Sequence, residues 1–121
     1  MRMMSFALTT EAVVERRKTV TRRDPKTWAT LKPGDRLVAI EKGMGLPKGS
    51  TVRRLAVIEI VSVRVEPLAD IDDDDVIREG FEGHNSMWFV AMFCKHHGVA
   101  APNVWTLDVR RIEFRYVEDA P

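Results

Sequence analysis

The run Arg53 to Val65, RRLAVIEIVSVRV, constrains the fold more than any other stretch of this chain. It is dominated by β-branched and aliphatic residues, which favour a strand. It is also far longer than the usual strand of ~5–6 residues. Its apolar positions change phase: Ala56, Ile58 and Ile60 fall on one side, then Val61, Val63 and Val65 on the other. A flat amphipathic strand keeps one phase, because side chains alternate strictly. The run therefore predicts a strongly curved strand or a strand with a bulge.

The flanking sequence supplies partners for it. Lys32-Pro33-Gly34-Asp35 suits a type II turn and leads into the strand Arg36 to Glu41. Residues 42–51, KGMGLPKGST, read as a loop or wide hairpin connection. Pro67 closes the long strand. Near the end, Arg111 to Tyr116 alternates, with Ile112, Phe114 and Tyr116 toward a core and Arg111, Glu113 and Arg115 toward water.

Helices are expected in three places. In residues 9–17, TTEAVVERR, Thr9 or Thr10 can cap the helix, Glu11 lies in its first turn, and Arg16 and Arg17 lie in its last. The acidic run Asp70 to Asp75 precedes Val76 to Glu79 and suits a helix N-terminus; its spacing does not match a calcium loop. Residues 86–97, SMWFVAMFCKHH, form the strongest helix, capped by Asn85 or Ser86 and ended at Gly98. Phe89, Met92 and Phe93 face the core, and Lys95, His96 and His97 suit the negative end of the dipole. Cys94, His96 and His97 diverge around a helix, so they do not make a metal site. The order is helix, strand, strand, helix, helix, strand. It predicts an α+β domain over residues 1–121 whose mixed sheet curls toward a small β-barrel, with two to three short helices.

Composition narrows the function classes. With 121 residues, 45% hydrophobic and 31% charged, the chain suits one globular domain. One cysteine excludes an internal disulfide, and no apolar run approaches the ~20 residues of a membrane span. The opening MRMMSFALTTEAVVERR has too short an apolar patch for a signal peptide, so a cytoplasmic location is expected. The net charge of +1 conceals an asymmetry. Residues 1–54 hold 13 Lys/Arg and 5 Asp/Glu, giving +8; residues 55–121 hold 6 and 13, giving −7. Folded apart, the halves would present a basic face for a polyanion; interleaved, they would cancel.

Lys18-Thr19-Val20-Thr21-Arg22-Arg23 is the basic segment of greatest chemical interest. If extended, Lys18, Val20 and Arg22 point one way and Thr19, Thr21 and Arg23 the other. If it turns, Lys18 and Thr21 converge. Arg17, Arg22, Arg23 and Lys26 make one cluster for phosphate contacts, and Lys42, Lys48, Arg53 and Arg54 a second. Trp28, in a polar context beside the first cluster, is the candidate for stacking on a base. Trp88 and Trp105 read as structural, and Ser5 and Phe6 as a candidate cleft edge.

Arg17 to Arg23, followed by Leu31-Lys32-Pro33-Gly34-Asp35-Arg36-Leu37, resembles the opening of ASCH domains of the PUA-like superfamily. There a short helix leads into a K-T-x-T-R motif and then a G-D turn. Arg78-Glu79-Gly80-Phe81 is similar to the family's Glu-bearing segment, and Arg111 to Phe114 to its closing strand. The resemblance spans roughly residues 5–117. It implies a PUA-like barrel with a cleft for RNA or a modified nucleoside. One branch removes the acetyl group from the exocyclic nitrogen of acetylated cytidine with a Lys, a Thr and a Glu, which by motif position are Lys18, Thr21 and Glu79 here. Other relatives bind RNA or cleave it.

Amide hydrolysis needs a nucleophile, a proton carrier and stabilisation of an oxyanion. Thr21 can supply a hydroxyl or position a water. Lys18 can act as a base if its pKa falls, and otherwise as an oxyanion-stabilising cation. Glu79 can protonate the leaving amine. The competing readings are phosphate binding by Lys18 and Thr21, and an ion pair for Glu79. Ribonuclease chemistry is disfavoured because no His is expected near these groups. No cofactor or metal is expected, and nothing in the sequence fixes an oligomeric state.

Overall fold

The structure is a computed structural model and describes residues 1–100 and 103–117. Five strands form one mixed sheet: β1 (Met3–Ser5), β2 (Val20–Arg23), β3 (Arg36–Ile40), β4 (Arg54–Pro67) and β5 (Asp108–Val117). The spatial order is β1-β3-β4-β5-β2, with β1 parallel to β3 and every other pair antiparallel. Three helices accompany the sheet: α1 (Thr10–Val14), α2 (Asp73–Arg78) and α3 (Ser86–His97).

The long strand carries the expected bulge. The β4–β5 register slips between Ile60 and Ser62, so Ile60 faces Phe114 while Val63 faces Ile112. Val61 is the extra residue and lies exposed. The bulge moves the inward positions from Ile58 and Ile60 to Val63 without rotating the strand out of the core. The sheet curls, and its ladder does not close: β1 and β2 are its two edges. A side chain bridges them instead, since Arg23 Nη2 donates to the Ser5 carbonyl. The expected α+β domain with a mixed sheet is present, and the sheet expected to curl toward a small barrel is an open one among the described residues. The two edges are too short, at three and four residues, to continue the ladder far.

Two apolar clusters fill the interior. One sits inside the curl and includes Met4, Phe6, Val13, Leu37, Ile58, Ile112 and Phe114. The other lies under α2 and α3 and includes Leu68, Val76, Phe89, Phe93 and Cys94. The Lys32 to Asp35 turn has Gly34 at φ 91°, the left-handed value that a type II turn requires. The third helix follows its sequence signals at both ends: the Asn85 side chain accepts from Trp88 N, and Gly98 takes a left-handed conformation. The acidic run likewise opens α2, with Asp72 accepting from Asp75 N.

Several expectations fail for identifiable reasons. The first helix covers five residues rather than 9–17, because Arg16 turns left-handed at φ 61° and the chain leaves the helix before Arg17. Neither Thr9 nor Thr10 caps it; the Thr10 hydroxyl donates back to the Phe6 carbonyl. The short strand β1 is not among the expected elements, and of the two alternatives for Lys18 to Arg23 the extended one holds, as β2. Trp28 is only 8% exposed and packs into the first cluster, with Arg2 stacked 4.3 Å from its ring. A buried indole offers no platform for a base. Arg111 does not face water: it is buried on Asp75. Among the described residues, no helix is long and apolar enough to cross a membrane.

Candidate functional site

The chain positions Lys18 by backbone before side chain. Leaving α1, Arg17 N and Lys18 N both donate to the Ala12 carbonyl. Thr19 N then donates to the Arg78 carbonyl at 2.8 Å, tying this segment to the end of α2. The Tyr116 hydroxyl donates to the Lys18 carbonyl at 2.6 Å. Burial pushes the Tyr116 phenol up to about 12, so it is a protonated donor at neutral pH.

Glu79 is the C-terminal cap of α2, and Gly80 after it has φ 97°. A Cβ at Gly80 would lie 2.8 Å from Ala12 Cβ and 3.6 Å from Lys18 Cβ. Glycine at this position thus lets α2 end against α1 and brings Glu79 to Lys18. Lys18 and Glu79 are each 2% exposed. Lys18 Nζ donates to the Glu79 carbonyl oxygen at 2.6 Å and to Oε1 at 2.9 Å. Arg22 Nη1 donates to Oε2 at 3.1 Å. Burial pushes the Lys18 ammonium below the ordinary lysine range; the Glu79 carboxylate opposes that, and Arg23 and Arg22 add to it.

The segment is extended, and alternation puts Lys18 and Arg22 on the Glu79 side. Thr21 and Arg23 meet each other instead, with Arg23 Nε donating to Thr21 Oγ1 at 3.2 Å. Burial pushes Arg23 down to about 10, against the Glu79 charge, which still leaves it cationic at neutral pH. Despite the alternation, Lys18, Thr21, Arg22, Arg23 and Glu79 all line one cavity of about 230 Å³. Phe6, Phe81 and Phe89 supply aromatic walls, and Ser5 lies on the boundary as expected. The volume is below the ~300–1,000 Å³ of drug-sized sites and suits one small planar group.

A second carboxylate braces this wall. Arg22 and Arg111 sit directly opposite each other across β2 and β5, a like-charge pairing that destabilises a sheet by itself. Asp75 resolves it: Oδ2 accepts from Arg22 Nη2 and from Arg111 Nε, and Oδ1 accepts from Arg111 Nη2 and Arg78 Nη1, both at 3.0 Å. Burial disfavours the Asp75 charge, but the hydrogen bonds from Arg111 and Arg22 outweigh it and hold the carboxyl well below the usual range. Arg22 Nε is left without a partner among the described residues. No local pattern in the sequence distinguishes Asp75 from its acidic neighbours.

The remaining basic residues lie elsewhere. Arg17 pairs with Glu15 and Glu82 on the surface, and Lys26 is exposed. Lys42, Lys48, Arg53 and Arg54 line no part of the cavity. Their loop does leave β3 at Ile40, whose carbonyl accepts from Phe6 N, so it springs from the cavity's end of the sheet. The two charge halves interleave: Arg17–Glu82, Lys18–Glu79, Arg22–Asp75 and Arg36–Glu59 all cross between them. Of the other tryptophans, Trp88 stacks on His84 at 3.7 Å, and Trp105 is 74% exposed rather than structural.

Sequence reasoning missed His96 and His97, which line the same cavity. Their position depends on how α3 packs across the sheet, and no local signal reports that. The expectation that no His lies near Lys18, Thr21 and Glu79 therefore does not hold, and with it falls the ground for disfavouring ribonuclease chemistry. No group of three His, Cys, Asp or Glu side chains is arranged to hold a metal among the described residues. Burial pushes the Cys94 thiol up, as expected for an inert core cysteine.

No family model matches the chain, and no curated protein matches it either. Solved structures do. An ASCH domain from Lactobacillus crispatus JV V101 superposes with a TM-score of 0.62 at 13% identity, covering 95% of this chain and 78% of that one. Protein EF3133 from Enterococcus faecalis V583, of the DUF984 family model, gives 0.64 at 15% identity over 96% and 79%. The hypothetical protein PH0355 gives 0.66 at 12% identity over 96% and 97%. At these identities the likeness is one of fold: the chain has an ASCH-like α+β fold.

Proposed function

We propose that this chain hydrolyses the exocyclic amide of an acylated cytidine-type nucleoside, free or within RNA, in the cavity lined by Lys18, Thr21 and Glu79. One observation carries the reading. An ammonium, a hydroxyl and a carboxylate from distant parts of the sequence line a single small cavity with aromatic walls. Two of the three Lys18 N–H bonds are used by Glu79. The third remains for a carbonyl oxygen that becomes an oxyanion, where a preorganised buried donor stabilises most. Glu79 holds that ammonium in place, and Thr21 offers its hydroxyl proton, since its oxygen accepts from Arg23. The ASCH-like fold supports an RNA-related substrate, which also supports a cytoplasmic location.

A second reading, a module that reads a modified base without turnover, is favoured by one feature: Lys18, Glu79 and Arg22 already satisfy one another. Product assays on a panel of acylated nucleosides separate the two. Hydrolysis of N4-acetylcytidine that is abolished in both Lys18→Ala and Glu79→Gln, with folding checked by thermal melts, supports the enzyme. Binding without turnover, lost mainly in Lys18→Ala, supports the reader. Cleavage of an RNA strand instead of release of acetate would point to a ribonuclease.

A further inference from the structure

We propose that His97 is the proton carrier of this cavity, taking a proton from the attacking water at Nε2 and returning it to the leaving amine, while Lys18 stays an ammonium. The inference rests on the amide-hydrolysis reading and supplies the group that reading lacks.

Water attack on an amide needs a proton acceptor within reach. Among the polar groups lining the cavity, Arg22 and Arg23 are cations with no lone pair to offer. Both Glu79 oxygens are held by cations, Oε1 by Lys18 and Oε2 by Arg22. Protonating that carboxylate would leave the buried Lys18 ammonium without its anion, while Arg22 would keep Asp75. Burial pushes Lys18 below the ordinary lysine range, and the Glu79 carboxylate 2.9 Å away opposes that. A Lys18 that gave up its proton would leave the buried Glu79 with Arg22 as its remaining cationic partner. Thr21 Oγ1 already accepts from Arg23 Nε. That leaves the two histidines.

His97 differs from His96 in how it is held. Its Nδ1 lies 2.9 Å from the Phe93 carbonyl oxygen. A carbonyl only accepts, so Nδ1 carries the hydrogen and the neutral ring presents its lone pair on Nε2. The ring also stacks on Phe93 with centroids 4.0 Å apart and planes 18° from parallel. One bond and one stack fix both tautomer and orientation, as a general base requires. Nε2 has no partner among the described residues. His96 touches the His97 ring edge-on at 5.2 Å and has no such anchor among the described residues. His97 is exposed as well as cavity-lining, which places it where water enters.

The step balances without an oxidant or a cofactor. The water oxygen bonds to the acyl carbon, and one water proton passes to Nε2, giving an imidazolium and a tetrahedral oxyanion beside the free Lys18 N–H. The carbon–nitrogen bond then breaks. The imidazolium returns its proton to the exocyclic nitrogen, releasing the amine and a carboxylic acid. The charged and titratable groups sharing the cavity with His97 are Lys18, Arg22, Arg23, Glu79 and His96, and Lys95 lies two positions before it on the same helix.

The test compares wild type, His97→Ala, His97→Gln and His96→Ala on N4-acetylcytidine across pH, with thermal melts to show that each variant folds. For His97→Ala, kcat is expected to fall by ~10²–10⁴-fold with KM little changed. Added imidazole should restore part of that loss in His97→Ala. The acidic limb of the wild-type rate profile should vanish in His97→Gln and persist in His96→Ala. A His97→Ala enzyme with wild-type kcat, or a limb that vanishes in His96→Ala instead, overturns the inference while the hydrolase reading stands on Lys18→Ala. A wild-type protein that releases no acetate from any acylated nucleoside overturns both.

Discussion

The ion pairs along β4 and its loop and those behind the cavity use the same residue types and obey different physics. Arg53–Glu41 and Arg64–Glu66 are spaced at 2.9 and 2.7 Å, distances as good as those in the interior. Arg53 and Glu41 both remain well exposed, so water and salt screen that pair. Arg64 is exposed too, but its partner Glu66 is nearly buried and also lies 3.6 Å from Arg22, so that pair joins the surface to the interior. The set formed by Lys18, Arg22, Asp75, Glu79 and Arg111 is buried, and each member depends on the others for solvation. Good contact geometry therefore says little about consequence. The environment decides whether losing one partner is silent or strands a charge. A buried ionic cluster of this kind is costly to maintain, and its place on the wall of a cavity gives a reason to keep it.

The sharpest way to break this contrast is Asp75→Asn. It removes the carboxylate that Arg22 and Arg111 share, leaving Glu79 and Glu66 to Arg22 and only the more distant Glu113 to Arg111. A loss of about 3–5 kcal/mol in unfolding free energy is expected. Urea denaturation measures it; a loss below about 1 kcal/mol, the range of surface pairs, would erase the distinction. The pH dependence follows with a definite sign. Asp75 is held well below its ordinary range in the folded protein. Its stabilisation is therefore complete above the unfolded value of ~3.9 and is lost as pH falls below it toward the lower folded value. The melting temperature of the wild type should drop across that acidic window, and more steeply than that of Asp75→Asn.

The next largest effect is expected at Gly80, which touches the cluster through the backbone alone. Gly80→Ala puts a Cβ in a left-handed conformation and against Ala12 at 2.8 Å. Strain of about 1–3 kcal/mol is expected, measured as a lower melting temperature. Because the shift must move the end of α2 away from α1, it also separates Glu79 from Lys18. Turnover should fall further than stability alone accounts for. A variant that is destabilised yet fully active would show that the ion pair tolerates displacement.

What the sequence made legible divides along the same line. The third helix, its Asn85 cap and its Gly98 stop are local signals, and they hold. The phase change near Val61 encodes the bulge, because alternation leaves no other way to keep Ile60 and Val63 inward. The strand β1 carries no sequence signal, and β2 is legible only as the extended alternative for Lys18 to Arg23; both are too short for a pattern and set by partners on β3 and β5. Trp28 looked exposed because its neighbours in sequence are polar, whereas its neighbours in space are core residues. Arg111 departs from its expected place at the surface for a related reason, while Asp75 keeps the expected place at the start of α2 and takes on a second role there. Only the register placing Arg22 beside Arg111 shows that a carboxylate must lie over them. In the candidate site, Lys18, Thr21 and Glu79 could be named from the motif resemblance, but their shared cavity and its two histidines depend on the tertiary fold.

The smallest expected effect on stability belongs to the loop between β3 and β4, and it sharpens the comparison from the exposed side. Among the described residues Arg53 is paired only with Glu41, at the surface, and Lys42 and Lys48 are exposed. Arg53→Ala, Lys42→Ala and Lys48→Ala should each change unfolding free energy by about 1 kcal/mol or less. If this loop receives the phosphates of an RNA whose acylated base enters the cavity, the same substitutions should weaken binding without touching turnover of the free nucleoside. The diagnostic is the salt dependence. Removing one side chain that neutralises a phosphate lowers the slope of log affinity against log salt by ~0.7 for a single strand. Asp75→Asn should instead lower affinity through loss of fold and leave the slope of the remaining folded protein unchanged. Titrating a single-stranded RNA at several salt concentrations distinguishes the two. A slope unchanged by all three loop substitutions would detach the loop from substrate binding and leave the cavity to act on the free nucleoside.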